Sequence, residues 1–365
     1  GAAWALSGES IRFLEVLVVA TPCPLLLGAP IALISGMSRA AKHGIIIKTG
    51  SALEKLAAVK PIAFDKTGTL TKGQPVVKDV KLFNDYHRQE VLGAAAALEQ
   101  SSTHILAKAI VEAAGTKSKK AKQVKEMSGR GLSGRLDGKS ILVGRLSLLE
   151  EENVELPKNI ASLAPKQTAT FVAINHKLAG IILFHDELRP ESAAMLQKLR
   201  ELGIRHTLMV TGDNQATADL VATKLGITDV SANCLPADKL LAIEKVTDRP
   251  VAFVGDGVND APVLTASDVG IALGARGSTA ASESADVVIM LDDISKVGTG
   301  LEVAKRTFFI AKQSILIGIF ISVGLMGVFS TGKFKPVYGA AIQELVDVTV
   351  IINALRAHGS WKKKS

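Results

Sequence analysis

The sequence predicts an α/β protein: a doubly wound parallel sheet, interrupted by an inserted α+β domain and flanked by transmembrane helices. Three observations predict it. Apolar strand-like runs at residues 61–64, 206–210, 251–254 and 269–273 each end in a polar loop, and helix-like segments alternate with them. Residues 76–182 break that alternation with two helical patterns and then short strands separated by Gly and Asn. Apolar runs long enough to cross about 30 Å of hydrocarbon lie near both ends of the chain. The expected division is a membrane segment at 1–43, the α/β domain at 44–75 and 183–298, its insertion at 76–182, two membrane helices at 299–358 and a basic tail at 359–365.

Composition agrees with this mixture. The chain is 47% hydrophobic yet 21% charged, which fits spans joined to soluble domains better than either alone. Cys23 and Cys234 stand far apart, so a disulfide framework is excluded and a reducing compartment expected. Although the net charge is +8, only two Tyr and two Trp are available for stacking on bases, and the lysines are scattered or flank apolar segments. Membrane-surface electrostatics, not nucleic acid, account for that charge. The opening Gly1-Ala2-Ala3-Trp4 is already apolar, as expected of a sequence cut from within a longer protein.

Residues 11–37 are almost uninterruptedly apolar but contain Pro22, Pro24 and Pro30, which should open a spanning helix locally. Within them, Thr21-Pro22-Cys23-Pro24 joins a thiol and a hydroxyl to a helix break, a soft-ligand site for a transition metal. The alternative is that Cys23 is a small buried residue in a kinked helix. Arg39, Lys42, His43 and Lys48 form the basic cluster expected on the cytoplasmic side. A strand at Ile45–Ile47 and an amphipathic helix around Leu53 and Leu56 then lead into Phe64-Asp65-Lys66-Thr67-Gly68-Thr69-Leu70-Thr71.

That octapeptide reads as a buried strand giving way to a loop, with Asp65 at the strand's carboxyl end, where open α/β sheets place their ligands. A carboxylate can take a phosphoryl group when a cation cancels the repulsion between two anions. Lys66 supplies a charge beside it, while Thr67, Gly68 and Thr69 offer hydroxyls and backbone N–H groups. The competing reading is an ordinary strand-to-turn junction.

In the insertion, Glu99 and His104 lie five apart just before a helix, and Gly129-Arg130-Gly131-Leu132-Ser133-Gly134 fits GxGxxG. Strand and turn follow those glycines, where a dinucleotide fingerprint needs a helix. They would instead let a flat base or phosphates approach the backbone. Beyond the insertion, a helix starts around His185-Asp186-Glu187-Leu188-Arg189-Pro190. Three further segments are polar and rich in Gly, Asp or Lys: Thr211-Gly212-Asp213-Asn214, Pro236-Ala237-Asp238-Lys239, and the run from Gly255 through Asp256, Asn259 and Asp260 to Pro262. Thr211 would hold a phosphate oxygen, Lys239 would neutralise a transferring phosphoryl group, and Asp256 would join Asp65 on Mg²⁺. Singly, each is equally a turn or surface residue; the order in which they occur argues for a site. Cys234 reads as core.

Two spans are expected at 310–329 and 337–355, the second containing Gln343, Glu344 and Asp347. Carboxylates inside an apolar span cost several kcal/mol unless paired or metal-bound, and so mark a transport path. Glu344 and Asp347, three apart, would share a helix face and with Cys23 and Thr21 offer sulfur and oxygen to a divalent cation. An internal ion pair with Lys312 is the alternative.

Taken together these motifs resemble the heavy-metal-transporting P-type ATPases, which share a haloacid-dehalogenase-like core. The resemblance rests on DKTGTLT at 65–71, TGDN at 211–214, GDGVNDAP at 255–262 and the Thr-Pro-Cys variant of the family's Cys-Pro-Cys motif. It implies ATP and Mg²⁺ as cofactors, a phospho-aspartate at Asp65 with Lys66, Thr67, Thr211, Gly212, Asp213 and Lys239 around it, and Asn259 and Asp260 bracing the site. Mg²⁺ would use Asp65, Thr67 and Asp256; ATP would bind at Glu99, His104, Gly129 and Gly131; and the transported metal would bind at Thr21, Cys23, Glu344 and Asp347. The chain departs from the pattern in two places, where His104-Ile105 replaces His-Pro and Gln343-Glu344-Leu345 replaces His-Glu-Gly; Thr67, standing where phosphatase relatives carry a second Asp, implies a phospho-aspartate that persists. Mixed ligands favour zinc, cobalt, nickel, iron or manganese over copper(I). The resemblance also implies an integral protein of the bacterial plasma membrane with cytoplasmic catalytic domains. An amino-terminal actuator domain and further membrane segments are expected as missing partners, since Ser7-Gly8-Glu9 is no substitute for the actuator's Thr-Gly-Glu loop. The alternatives are a soluble phosphatase of the same core and a non-catalytic metal-binding membrane fragment.

Overall fold

The computed structural model describes residues 2, 5, 8–20, 23–102, 105–115, 119–127, 130–158, 160, 168–256, 260–274 and 279–359. Among them, the strands in chain order are β1 (Ile45–Ile47), β2 (Pro61–Asp65), β3 (Thr71–Leu82), β4 (Lys122–Met127), β5 (Gly131–Leu136), β6 (Lys139–Gly144), β7 (Ala169–Ile174), β8 (Lys177–Leu188), β9 (His206–Val210), β10 (Asp229–Ser231), β11 (Ala252–Gly255), β12 (Val269–Leu273) and β13 (Val287–Ile289). The chain divides into two units, one made of residues 1–63, 193–207 and 240–365, the other of 64–192 and 208–239.

In the first unit β11, β12 and β13 run parallel, with Ala252 opposite Val269 and Ile271 opposite Val287. All three are fully buried, which is why their sequences are apolar throughout instead of alternating. The triple-Ile run forms β1, as expected, but pairs antiparallel on β13, Ile45 opposite Ile289, so the parallel pattern acquires one antiparallel edge strand. The following helix, Gly50–Ala58, is capped by Thr49, whose side chain accepts from the Ala52 N–H at 3.0 Å, and buries Leu53 and Leu56.

Four apolar helices also belong to this unit: Ser10–Val19, Cys23–Lys42, Ser295–Phe329 and Pro336–Leu355. The first ends at Ala20, immediately before the proline cluster. Pro30 does not open the second, contrary to expectation. A proline costs one backbone bond, and packing against neighbouring helices makes that tolerable. Gly28 and Gly36 allow such packing: a Cβ at Gly28 would lie 2.9 Å from Val350, and one at Gly36 2.2 Å from the Thr307 hydroxyl. The last two helices are long and apolar enough to cross a membrane. The earlier of them begins fifteen residues before the expected span, at Ser295, and its 35 residues reach about 52 Å at 1.5 Å each, well beyond the hydrocarbon thickness. Its polar start carries Glu302, paired with Lys198 at 2.6 Å, and Lys305, which donates to the Leu202 carbonyl.

The second unit contains a six-stranded antiparallel sheet in the order β3-β8-β7-β6-β5-β4. Helices Arg88–Glu99 and Ile105–Ala114 lie on one face, where Val91, Leu92, Leu98 and Ile110 pack with Val143, Val172 and Ile182. Leu148, Leu149, Phe171 and Ile181 form a second cluster. Strands β3 and β8, twelve residues each, pair from Thr71–Leu188 to Leu82–Gly180. β9 and β10 pair parallel, with Leu208 opposite Asp229.

Gly131 has φ +153°, and a Cβ there would lie 2.2 Å from the Val143 carbonyl oxygen and 2.6 Å from the Gly144 Cα. Close strand approach therefore requires this glycine. Gly131→Ala should cost about 1–3 kcal/mol by overpacking, read as a lower unfolding midpoint. An unchanged midpoint would refute this account of the residue.

Candidate active site

Strand β2 is buried along its whole length and ends in Asp65, which is 5% exposed. Lys66–Leu70 then make one wide turn in which Thr67 (φ −76°, ψ 126°) and Gly68 (φ 77°, ψ −14°) leave helical geometry. Only glycine takes that φ at Gly68 without strain.

The charges around Asp65 are distributed differently from the sequence expectation. Lys239, from the helix Pro236–Glu244, approaches Asp65 Oδ1 at 2.6 Å, whereas the adjacent Lys66 reaches Asp213 at 2.7 Å. Successive residues at a strand end project to different sides, so the neighbour in sequence is not the neighbour in space. Thr211 is buried; its hydroxyl accepts the Asp213 N–H at 3.1 Å and its backbone joins Ser231 and Cys234. It therefore shapes the turn that presents Gly212 and Asp213. Asn214 caps the next helix, accepting from Thr217 N–H at 3.0 Å. In the Asp65 loop, Thr67 is exposed and Gly68 partly so, but Thr69 and its hydroxyl are fully buried, so the hydroxyl is not offered at the loop surface as expected.

The loop is also held by residues for which the sequence reading gave no role. Arg189 donates through Nε to the Thr71 carbonyl at 3.0 Å and through Nη2 to the Gly68 carbonyl at 2.9 Å. Thr71 Oγ1 lies 2.9 Å from the Lys66 carbonyl and 2.5 Å from Asp186 Oδ2, and Ser192 Oγ donates to the Leu70 carbonyl at 2.9 Å. Their only signal in the sequence was the cluster of charges at 185–190, read as a helix start; residues 185–188 instead end β8, and the helix begins at Glu191.

A cavity of about 620 Å³, within the range for nucleotide-sized ligands, is lined by Lys66, Thr67, Gly212 and Asp213, with Phe184 and Leu220 among its apolar residues. Among the residues expected to bind nucleotide, Glu99 is 9% exposed. Burial, aided by the charge of Glu126 and opposed by a hydrogen bond from Ser102, pushes its carboxyl up to about 7. Gly131 serves strand packing, as described above. His104, Gly129, Asn259 and Thr21 lie outside the described residues, as does the side chain of Cys23.

In the other unit, Asp256 follows β11 and is partly buried. Asp260, 1% exposed, opens the helix Ala261–Ala266 with its carboxylate against the strand end: a Cβ at Gly255 would lie 2.8 Å from Oδ2. In the last helix Gln343 is buried and its Nε2 lies 3.5 Å from Asp347, while Glu344 is exposed. The structure thus pairs Gln343, not Glu344, with Asp347. At about 100° per residue, Asp347 falls about 40° from Gln343 and Glu344 about 100° from it, off the buried face marked by Val346, Val350 and Ala354.

Residues 59–268 match the family model described as haloacid dehalogenase-like hydrolase. The chain is 41% identical over 324 residues to a probable cadmium-transporting ATPase of Staphylococcus aureus, covering 85% of this chain and 45% of that protein. It is 35% identical over 364 residues to a manganese-exporting P-type ATPase of Mycobacterium bovis, covering 96% and 50%. Its fold is similar to the crystal structure of a zinc-transporting PIB-type ATPase, with a TM-score of 0.81 at 32% identity over 93% of this chain and 56% of that one. It is also similar to the catalytic domain of the CPx-ATPase CopB-B, with a TM-score of 0.60 at 30% identity, covering 73% of this chain and 98% of that one. The chain spans about half the length of the curated relatives it matches.

The raised Glu99 carboxyl makes stability depend on pH. Between its ordinary 4.5 and about 7 the unfolded chain has released this proton and the folded chain still holds it, so stability falls as pH rises through that window. Glu99→Gln, which cannot ionise, should therefore raise the unfolding midpoint more at pH 8 than at pH 4. An equal effect at both would contradict the assignment.

Proposed function

We propose, for a chain that belongs to the haloacid dehalogenase-like hydrolases and, within them, to the heavy-metal P-type ATPases, that Asp65 takes the γ-phosphoryl group of ATP and that this step drives a divalent transition metal across a membrane. The observation that carries the reading is the Lys239–Asp65 contact at 2.6 Å beside the Lys66–Asp213 contact at 2.7 Å. A buried carboxylate at a strand end, with two lysines near it, is equipped to receive an anion.

In the transfer a carboxylate oxygen of Asp65 attacks the γ-phosphorus, the bond to the β-phosphate oxygen breaks, and ADP leaves with that electron pair. Lys239 offsets the charge on the nucleophile and Lys66 that on the phosphoryl oxygens, while the turn at Thr211-Gly212-Asp213 fixes Lys66. Mg²⁺, when bound, neutralises phosphate charge; the hard oxygens of Asp65, Thr67 and Asp256 suit it and would hold it. Thr67 has no carboxyl with which to assist hydrolysis, which favours a lasting phospho-aspartate over phosphatase turnover. Glu99, His104, Gly129 and Gly131 would bind the nucleotide, and Asn259 and Asp260 would brace the Asp256 loop.

Thr21, Cys23, Glu344 and Asp347 would hold the transported ion, the last two from one helix. One thiolate among oxygen donors suits the divalent ions named for the relatives, cadmium, manganese and zinc, better than copper(I). The setting would be the bacterial plasma membrane with the catalytic units in the cytoplasm. The basic residues Arg39 and Lys42 support that orientation, and the 2.8 Å approach of Lys42 to His358 supports a common cytoplasmic end for two helices. A full cycle would need the actuator domain and further membrane helices as partners.

In membranes carrying the complete pump, ATP hydrolysis should rise with one or more of zinc, cadmium and manganese, and Asp65→Asn should abolish it. Lys239→Ala should lower kcat by about 10²–10³-fold, the scale of losing one preorganised charge-stabilising group. Undiminished hydrolysis by Asp65→Asn would refute the proposal.

A further inference from the structure

We propose that Arg189 is a positioning residue for phosphoryl transfer, acting by fixing the peptide groups of the loop that follows Asp65. The inference rests on the reading of Asp65 as the phosphorylated residue.

Between Lys66 and Thr71 four carbonyls are tied down, three of them by side chains. The Thr71 backbone N–H takes the Lys66 carbonyl, Ser192 Oγ takes that of Leu70, and the Arg189 guanidinium takes those of Gly68 and Thr71 together. The Arg189 backbone N–H adds a second bond to the Leu70 carbonyl at 3.0 Å. Asp186 holds Thr71 in turn, through Oδ2 at 2.5 Å. Arg189 is therefore anchored at its backbone and forked at its tip.

The fork is the part no other side chain supplies. A guanidinium presents planar N–H donors in fixed relation, so Nε and Nη2 can hold two carbonyls three residues apart at once; an ammonium is a single point of charge. Pro190 restricts Arg189 to extended backbone, which presets the direction of the side chain. Arg189 is 8% exposed, and burying a guanidinium is costly enough that packing alone is a poor reason to place one there.

Tying the carbonyls fixes the whole turn, because each peptide group is planar and its N–H points opposite to its C=O. The residues so fixed include Lys66 and Thr67, which line the cavity with Gly212 and Asp213. A shift of about 1 Å in such groups can cost about 10²-fold in rate with little effect on how tightly the substrate is held.

The test is the rate at which the complete membrane-embedded pump forms acid-stable phosphoenzyme from radiolabelled ATP, measured as a function of ATP concentration, with thermal midpoints recorded for each variant. Arg189→Ala should slow the maximal rate by about 10²-fold and leave half-saturation within about twofold. Arg189→Lys, whose donors all lie on one nitrogen and cannot reproduce the spacing of Nε and Nη2, should fall between Ala and the wild type. If Arg189→Ala does not fold, Arg189→Lys decides alone: a wild-type rate overturns the inference. Equal rates in all three proteins overturn it too, as does a change confined to half-saturation. Absence of Asp65-dependent label in the wild type would instead sink the phospho-aspartate reading, and this inference with it.

Discussion

A carboxylate taken out of water must be compensated, and in this chain the compensation for Asp65 is the Lys239 ammonium at 2.6 Å. Much of the second unit can be understood from that requirement. Lys239 comes from a helix more than 170 residues along the chain, so the loop holding Asp65 and the helix holding Lys239 must both be placed accurately. The contact with Asp213 takes the Lys66 ammonium away from Asp65, leaving one lysine on the Asp65 carboxylate and the other lining the adjoining cavity. Breaking such a buried pair by removing one partner typically costs about 3–5 kcal/mol, because it leaves the other charge buried and uncompensated.

The Asp65 loop meets a second constraint, that a sharp turn leaves backbone groups without regular partners. Gly68 supplies the dihedral angles, and Thr71, Arg189 and Ser192 supply donors for the carbonyls. The strain and polarity of the turn are thus met from one side, while Thr67 stays exposed. In the apolar helices a related constraint applies with different means: small residues let backbones approach, as at Gly28 and Gly36, and polar groups such as Gln343 and Ser322 are turned inward.

Much of this was legible in the sequence because periodicity is local. The helices Ile105–Ala114 and Gln215–Leu225 and the strands His206–Val210 and Val269–Leu273 fall where the apolar pattern puts them. The haloacid dehalogenase-like core and the kinship with metal-transporting ATPases also followed from short motifs. What was not legible depends on direction and distance. Adjacency suggested Lys66 for Asp65, but side-chain direction at the strand end assigns Lys239. Three-residue spacing suggested Glu344 with Asp347, but the buried face of the helix is centred on Gln343. The role of Arg189 was not legible in the charge cluster at 185–190, since its partners are backbone carbonyls, which every residue possesses. Pro30 misled in the opposite way: a residue that usually breaks helices sits inside one because its surroundings permit it.

The account turns on one covalent bond, an acyl phosphate on Asp65. Acid quenching of the intact pump during turnover, borohydride reduction and peptide mass spectrometry would locate it, because reduction converts a phosphorylated aspartate to homoserine. The account predicts homoserine at position 65, dependent on ATP. Homoserine at any other aspartate, or at none while ATP is being hydrolysed, would contradict it.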